Sequence, residues 1–253
     1  MRKHVLPGIV LALVVGCAGR SGVANADDAK AVIEKAIKAL GGEDKLAQFK
    51  AGRWKGQGLL TLKGQNFPLT LETVYHLPNK YKSAMHLEVQ GKKIEVIQVL
   101  EGDKGWIRGE GKTLDLEGEL LKAFKEEFYS ANVEMLVPLL REKGYTLSKL
   151  KEIKVNGKPT VGVKVAAKDH KDIELYFDRD SVLPVKTVRP TIDAETLKEA
   201  TAEVIFSGFK EFDGIKGPTK MVVNQDGKKL MEVEITEFKK LDKVDPNEFA
   251  RPK

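Results

Sequence analysis

The chain has 253 residues, of which 32% are charged and 42% are hydrophobic, a balance typical of a globular protein and not of a disordered or fibrous one. The formal net charge is +6, but lysines and glutamates are interspersed, which argues against a basic stripe for binding nucleic acid. The chain contains a single cysteine, so an intrachain disulfide is excluded.

The N-terminal segment, residues 1–26, has the pattern of an export signal. Two basic residues precede an apolar run over 5–15, which is shorter than the roughly 20 residues that a membrane-spanning helix needs. Ala24-Asn25-Ala26 matches the A-x-A site of signal peptidase, with cleavage after Ala26. Val14-Val15-Gly16-Cys17 resembles a lipobox, in which Cys17 is lipidated and anchors the protein to a bacterial membrane. The sequence therefore predicts export to the periplasm, with the lipid-anchored form as the alternative.

The first element predicted after this segment is an amphipathic helix. Apolar residues recur at spacings of three and four from Ala29 to Leu40. Asp27 and Asp28 lie at the predicted start, where the helix dipole favours acidic side chains, and Gly41-Gly42 is the predicted stop. A short second helix is predicted over about 43–49. We expect residues 27–253 to form one domain, because no Pro- or Ser-rich linker divides them.

Strand-like alternation begins near Arg53. Five alternating runs precede residue 111, and seven more lie between residues 145 and 238. Turn sequences such as Lys63-Gly64-Gln65-Asn66 and Asn156-Gly157-Lys158 separate neighbouring runs. We therefore expect adjacent runs to pair as antiparallel hairpins.

A helical block over 118–142 separates the two sets of strands. Ser130 and Asn132 are typical of a break or cap between two helices, and Pro138 should kink the second helix or occupy its first turn. The predicted fold class is α+β, mainly antiparallel β. It is a large curved sheet or half-open β-barrel of about 11–12 strands, with about three helices packed on or in its concave face.

No sequence pattern indicates catalysis or metal binding. His76, His86 and His170 are isolated from one another, and Asp178-Arg179-Asp180 has too few ligands for calcium. No nucleophile elbow, phosphate-binding glycine loop or C-x-x-C pair is found. We therefore predict a protein without enzyme activity, metal or cofactor. A hydrolase site assembled in three dimensions around one of the histidines stays open as an alternative.

A wide sheet with apolar inner positions can enclose a ligand cavity, because few helices are available to fill it. The residues predicted to line this cavity are Trp54, Leu60, Leu62, Leu71, Tyr75, Met85, Leu87, Trp106, Leu175, Phe177, Phe206 and Met221. The alternative is that these residues pack directly on the helices. The protein would then be a structural or interaction module of the cell envelope with a filled core and no small ligand.

Three segments of the C-terminal half carry a resemblance to a known family. They are Leu175-Tyr176-Phe177-Asp178, Leu183-Pro184-Val185-Lys186 and FSGFKEFDGIKGP from Phe206 to Pro218. Together with the order of helix, strand set, helical pair and strand set, they make the chain resemble the bacterial lipoprotein-carrier superfamily, the LolA/LolB-like proteins. The resemblance implies a half-open barrel lidded by helices, a periplasmic or outer-membrane location, and a lipid, acyl chain or lipoprotein as partner. We expect a monomer, with an envelope protein as a second kind of partner.

Overall fold

The computed structural model describes residues 21–89, 91–193, 196 and 198–253. Within these ranges the helices are α1 (Ser21–Leu40), α2 (Glu43–Leu46), α3 (Gly118–Glu134), α4 (Val137–Arg141) and a closing 3-10 helix (Pro246–Phe249). The first strands are β1 (Ala51–Leu62), β2 (Gln65–His76), β3 (Lys80–Val89), β4 (Lys92–Glu101), β5 (Lys104–Gly109) and β6 (Lys112–Leu116). After α4 follow β7 (Tyr145–Leu150), β8 (Lys154–Val155), β9 (Lys158–Ala167), β10 (Ile173–Asp178), β11 (Pro184–Ile192), β12 (Glu199–Ser207), β13 (Lys210–Phe212), β14 (Ile215–Gly217), β15 (Lys220–Gln225) and β16 (Lys228–Lys240).

Fourteen strands form one sheet in the order β6-β5-β4-β3-β2-β1-β16-β15-β12-β11-β10-β9-β7, with β8 paired to β9. The last strand, β16, pairs antiparallel with β1 and thereby joins the two sets of strands. β13 and β14 form a separate hairpin. Within the described ranges the edge strands β6 and β7 do not pair with each other, so the sheet stays open. The predicted class, an α+β fold with a half-open antiparallel barrel, is confirmed.

The structure has more strands than the 11–12 predicted. The alternating run over 147–155 is divided between β7 and β8, and the run over 199–212 is divided between β12 and β13. β6 and β14 are too short to give a clear alternation. The predicted hairpin turns are confirmed at Lys63-Gly64 and Asn156-Gly157, where both residues have positive φ, as a tight two-residue hairpin turn requires.

Helix α1 begins at Ser21, so the predicted start at Asp27 is wrong. Residues 21–26 include two alanines and no proline, and nothing in them prevents the helix from extending. Asp27 and Asp28 therefore lie inside the helix instead of at its N-terminus. Gly41 and Gly42, with φ of 130° and 98°, end the helix as predicted.

The cleavage site after Ala26 and the lipidation site at Cys17 remain predictions. Ala24-Asn25-Ala26 lies within α1. Cys17, the predicted lipidation site, lies outside the described residues. In the part of the chain that the structure describes, none of the helices has the length and apolar character needed to cross a membrane.

The break in the helical block falls later than predicted. Ser130 and Asn132 are buried inside α3, which continues through them. The Nδ2 of Asn132 donates to the Tyr145 hydroxyl at 3.3 Å, so this side chain does not compete with the helical backbone for hydrogen bonds. The break is instead at Leu136, whose φ is 61°. Pro138 occupies the first turn of α4, which is one of its two predicted places.

The helices cover the two halves of the sheet differently. Ile33 of α1 and Phe177 of β10 belong to one buried cluster, to which α4 also contributes. Phe128 of α3 packs with Tyr75 and Leu100 of the first strand set. Because α3 also contacts β11, it bridges the two halves of the sheet across its inner face.

Candidate functional site

A cavity of about 520 Å³ lies between α3 and the inner face of the sheet. Its wall includes residues of β1 to β4, of β10 to β12, and of β15 and β16. Strands far apart in the sheet order thus face the same space, so the sheet curls around it. The volume lies within the range of small-molecule binding sites, about 300–1,000 Å³.

Seven of the twelve residues predicted to line a cavity lie on this wall. They are Trp54, Leu71, Tyr75, Met85, Leu175, Phe206 and Met221. The alternation of β2 places Leu71 and Tyr75 on the inner face, whereas Val74 between them joins a cluster on the outer face. The role of these residues in binding a ligand stays a prediction.

Four other predicted residues lie on the sheet but not on the cavity wall. Leu60 and Leu87 pack in an apolar cluster that also contains the cavity-wall residue Leu71, but they do not line the cavity themselves. Phe177 has no exposed surface and is covered by the helices that pack on β9 and β10. Leu62 is half-buried and ends β1 beside the hairpin turn. These positions contribute to the core of the fold and not to the cavity.

The fifth residue, Trp106, lies on the opposite face of the sheet. It packs with Val74, Val99 and Phe249 of the closing 3-10 helix, and its Nε1 donates to Asp115 Oδ1 at 2.9 Å. Both faces of this part of the sheet are covered by apolar groups. Alternation alone therefore does not distinguish the inner face of the sheet from the outer face. The prediction that Trp106 lines the cavity is wrong.

The cavity wall also carries polar side chains that the search for apolar residues missed. Nine of them come from three places: the inner face of β2 to β4, the inward face of α3, and β11. We refer to them together as the polar band, which consists of Thr73, Tyr81, Ser83, Gln98, Glu127, Ser130, Glu134, Thr187 and Arg189.

One ion pair of the polar band connects α3 to the second half of the sheet. The Arg189 guanidinium of β11 lies 3.3 Å from Glu127 Oε1 of α3, and the arginine side chain is only 12% exposed. The Tyr81 hydroxyl lies near this pair and beside Thr73 and Ser83; burial, with the Glu127 charge, raises the pKa of Tyr81 to about 12. The ion pair and the hydroxyl groups therefore lie close together on the cavity wall.

Glu134 is the second carboxyl of the polar band. Burial raises the pKa of Glu134 above its ordinary value of 4.5, although the Arg189 charge and a hydrogen bond with Thr187 act in the opposite direction. Desolvation is therefore the stronger effect at this carboxyl.

Replacing Glu134 by glutamine is expected to make stability less dependent on pH. A raised folded-state pKa contributes stability below the ordinary glutamate pKa, and this contribution is lost as the pH rises through the folded-state value. The Glu134→Gln protein should therefore gain stability relative to the wild type as the pH rises above the ordinary glutamate pKa of 4.5, and the gain should fade below that pH. Thermal unfolding of both proteins across this pH range measures the difference, and a gain confined to low pH would contradict the assignment.

A smaller cavity of about 440 Å³ adjoins α3 near Tyr129 and His170. The two rings stack with centroids 3.7 Å apart, and His170 Nδ1 lies 2.9 Å from Glu126 Oε1. The residues that line this cavity include no serine, threonine or cysteine. Over the described ranges, moreover, no group of three or more His, Cys, Asp or Glu side chains is placed to hold a metal ion.

An open antiparallel sheet, curled around a cavity and bridged by helices, defines the LolA-like class of half-open barrels. A LolA superfamily protein from Nitrosomonas europaea has this fold, with a TM-score of 0.56 at 10% identity over 88% of this chain and 97% of that chain. A putative outer membrane lipoprotein-sorting protein domain from Vibrio parahaemolyticus gives 0.53 at 12% identity over 89% and 97%. A DUF1329 family protein from Desulfovibrio piger gives 0.56 at 14% identity over 88% and 97%.

These similarities establish the fold. The remote LolA-like resemblance drawn from the C-terminal segments is confirmed at that level. No protein-family model matches the sequence, and no curated protein does.

Proposed function

We propose that this chain is a non-catalytic envelope protein that binds a lipid or acyl chain in the cavity between α3 and the sheet. The observation that carries the proposal is the cavity itself, about 520 Å³ in volume and lined by apolar residues of both halves of the sheet. The alternative function, a structural module without a small ligand, requires a filled core. A cavity of this size favours the binding function instead.

The composition of the wall supports an acyl chain as the ligand. Trp54, Met85, Phe206 and Met221 surround the space from four different strands, and each buried methylene group contributes about 0.8 kcal/mol. Methionine side chains adapt to flexible ligands because they are unbranched and polarizable. The similar Vibrio domain is described as a putative outer membrane lipoprotein-sorting protein, which agrees with this class of ligand.

The proposed cellular location rests on the export pattern of the sequence. We propose that the protein works in the periplasm after cleavage at Ala26, or at a membrane surface if Cys17 is lipidated. A lipoprotein with several acyl chains is held firmly at the membrane, whereas the unmodified form diffuses. The cavity can serve either form, as a soluble carrier or as a tethered acceptor. We also propose that the protein is a monomer and that an envelope protein delivers or receives the ligand.

The two tryptophans allow a direct test of the proposed binding site. Trp54 lies on the cavity wall and Trp106 on the opposite face. Delipidated Trp106→Phe protein keeps Trp54 as its reporter, and titration with methyl hexadecanoate should give a saturable change in its emission. The matched Trp54→Phe protein, which keeps only Trp106, should show little change. The proposal fails if neither protein gives a saturable signal, or if both respond equally.

A further inference from the structure

Three exposed lysines lie at the turns of neighbouring hairpins at one end of the sheet. Lys63 occupies the β1–β2 turn, Lys92 is the first residue of β4, and Lys228 is the first residue of β16. The pairing of Leu60 with Met231 brings the β1–β2 turn beside the β15–β16 turn. We refer to these three side chains as the lysine row.

The β3–β4 turn reaches the same level of the sheet as the β1–β2 turn. Leu87 of β3 pairs with Leu69 of β2. Gly91 and Gln65 each lie four residues beyond this pair, toward the turns, so the two turns end side by side. The row extends from β16 to β4 over four strand spacings of about 4.8 Å each, a length of about 19 Å.

The acidic residues near these turns have other partners. Glu88 lies opposite Lys93 across the β3–β4 pair. Glu232 forms an ion pair with Lys229 at 2.9 Å, and Asp226 accepts a hydrogen bond from a backbone amide of β12. Across the described residues, the lysine row has no ion pair and no side-chain hydrogen bond. Its charges are therefore available to an anionic partner.

Two further features adjoin the lysine row. Leu59 of β1 is 40% exposed and pairs with the exposed Pro68 of β2, so an apolar pair lies on the outer face of the same hairpin. Gln225 and Leu230, which flank the β15–β16 turn, line the cavity between α3 and the sheet. The lysine row therefore lies at an end of the sheet to which the cavity extends.

We propose that the lysine row docks this end of the sheet on an anionic lipid bilayer. A lysine ammonium is a compact charge on a flexible stem, which suits phosphate groups that move within a fluid surface. An acidic protein of fixed shape is better matched by arginine, whose planar fork binds a carboxylate through two hydrogen bonds. The exposed pair of Leu59 and Pro68 adds apolar area near the same surface. This docking surface goes beyond the proposed function and does not depend on which ligand the cavity binds.

The test measures sedimentation of the mature protein, without a lipid anchor, with vesicles of phosphatidylglycerol or of phosphatidylcholine. The wild type should bind the phosphatidylglycerol vesicles at about 0.1 M salt, where the Debye length is about 10 Å, and should be released at about 1 M salt. It should not bind the uncharged vesicles. The triple variant Lys63→Asn, Lys92→Gln and Lys228→Gln should bind phosphatidylglycerol about a hundredfold more weakly. Asparagine is chosen at position 63 because it tolerates the φ of 50° found there.

A second triple variant separates the lysine row from the net charge of the protein. Lys143, Lys151 and Lys154 are exposed beside the edge strands β7 and β8, and replacing them by glutamine changes the net charge by the same amount. This control should bind the vesicles within about threefold of the wild type, because charges farther from the bilayer than a Debye length are screened. A variant with arginine at the three positions of the row should also keep its binding.

Three results would overturn the docking surface. They are an equal loss of vesicle binding in both triple variants, no binding of the wild type to phosphatidylglycerol, and binding of the wild type to polyglutamate but not to vesicles. Titration with methyl hexadecanoate keeps this outcome separate from the proposed function. The triple variant of the lysine row should bind that ester with wild-type affinity, so failure of vesicle docking leaves the cavity proposal standing, and failure of ester binding leaves the docking surface standing.

Discussion

The double variant Ala202→Phe with Ala131→Phe is expected to weaken binding of methyl hexadecanoate at least tenfold. Ala202 of β12 lies between Arg189 of β11 and Gln225 of β15 in the sheet. All three line the cavity, and Ala131 of α3 lines it as well. Two added phenyl rings would occupy space from both walls. Displacing two or more methylene groups of the ligand costs about 1.6 kcal/mol, which corresponds to slightly more than a tenfold loss of affinity.

The control for this variant uses the same strand. Thr201 precedes Ala202 on β12 and is exposed, so Thr201→Phe adds the same ring on the outer face. This control should bind with wild-type affinity in the Trp106→Phe background. The two single cavity variants should give intermediate losses. If the double variant is folded by circular dichroism and binds as tightly as the control, the cavity is not the binding site.

The variant Phe177→Ala is expected to lower the free energy of unfolding by about 3–5 kcal/mol. The phenylalanine side chain has no exposed surface and belongs to the cluster that joins α1, α4, β9 and β10. Its removal leaves a space that the helices and the sheet together cannot close, because both are fixed by their own backbone hydrogen bonds. Denaturant unfolding monitored by circular dichroism measures the loss.

An exposed leucine provides the comparison for Phe177. Leu114 on the edge strand β6 is 63% exposed, so Leu114→Ala should change the free energy of unfolding by less than about 0.5 kcal/mol. Because Phe177 does not line the cavity, the folded fraction of Phe177→Ala should bind methyl hexadecanoate with nearly wild-type affinity. A loss of stability below about 1 kcal/mol would contradict the packing of α1 and α4 on the second half of the sheet.

Much of the fold could be predicted because its signals are local. The turn at Asn156-Gly157 needs two residues of positive φ, and this sequence pair adopts them readily. The alternation Leu71, Thr73, Tyr75 follows from the geometry of any strand, and it places these side chains together on the cavity wall. Glu127, Ser130 and Glu134 recur at spacings of three and four, which indicates a polar face on α3. The sequence analysis considered only apolar residues for the cavity wall and therefore missed this face.

Other features depend on which segments meet in space. The pairing of β16 with β1 joins segments from opposite ends of the described chain, and no local pattern indicates it. Phe249 covers the outer face of the sheet and thereby places Trp106 outside the cavity. The pairing of Arg189 with Glu127 requires β11 and α3 to come together first. The sequence by itself determined most of the strands and turns and the presence of the helices, since each is set by backbone geometry and the period of its side chains. Only the tertiary structure decided which face became the cavity wall, because that depends on how the sheet curls and on which segment covers each side.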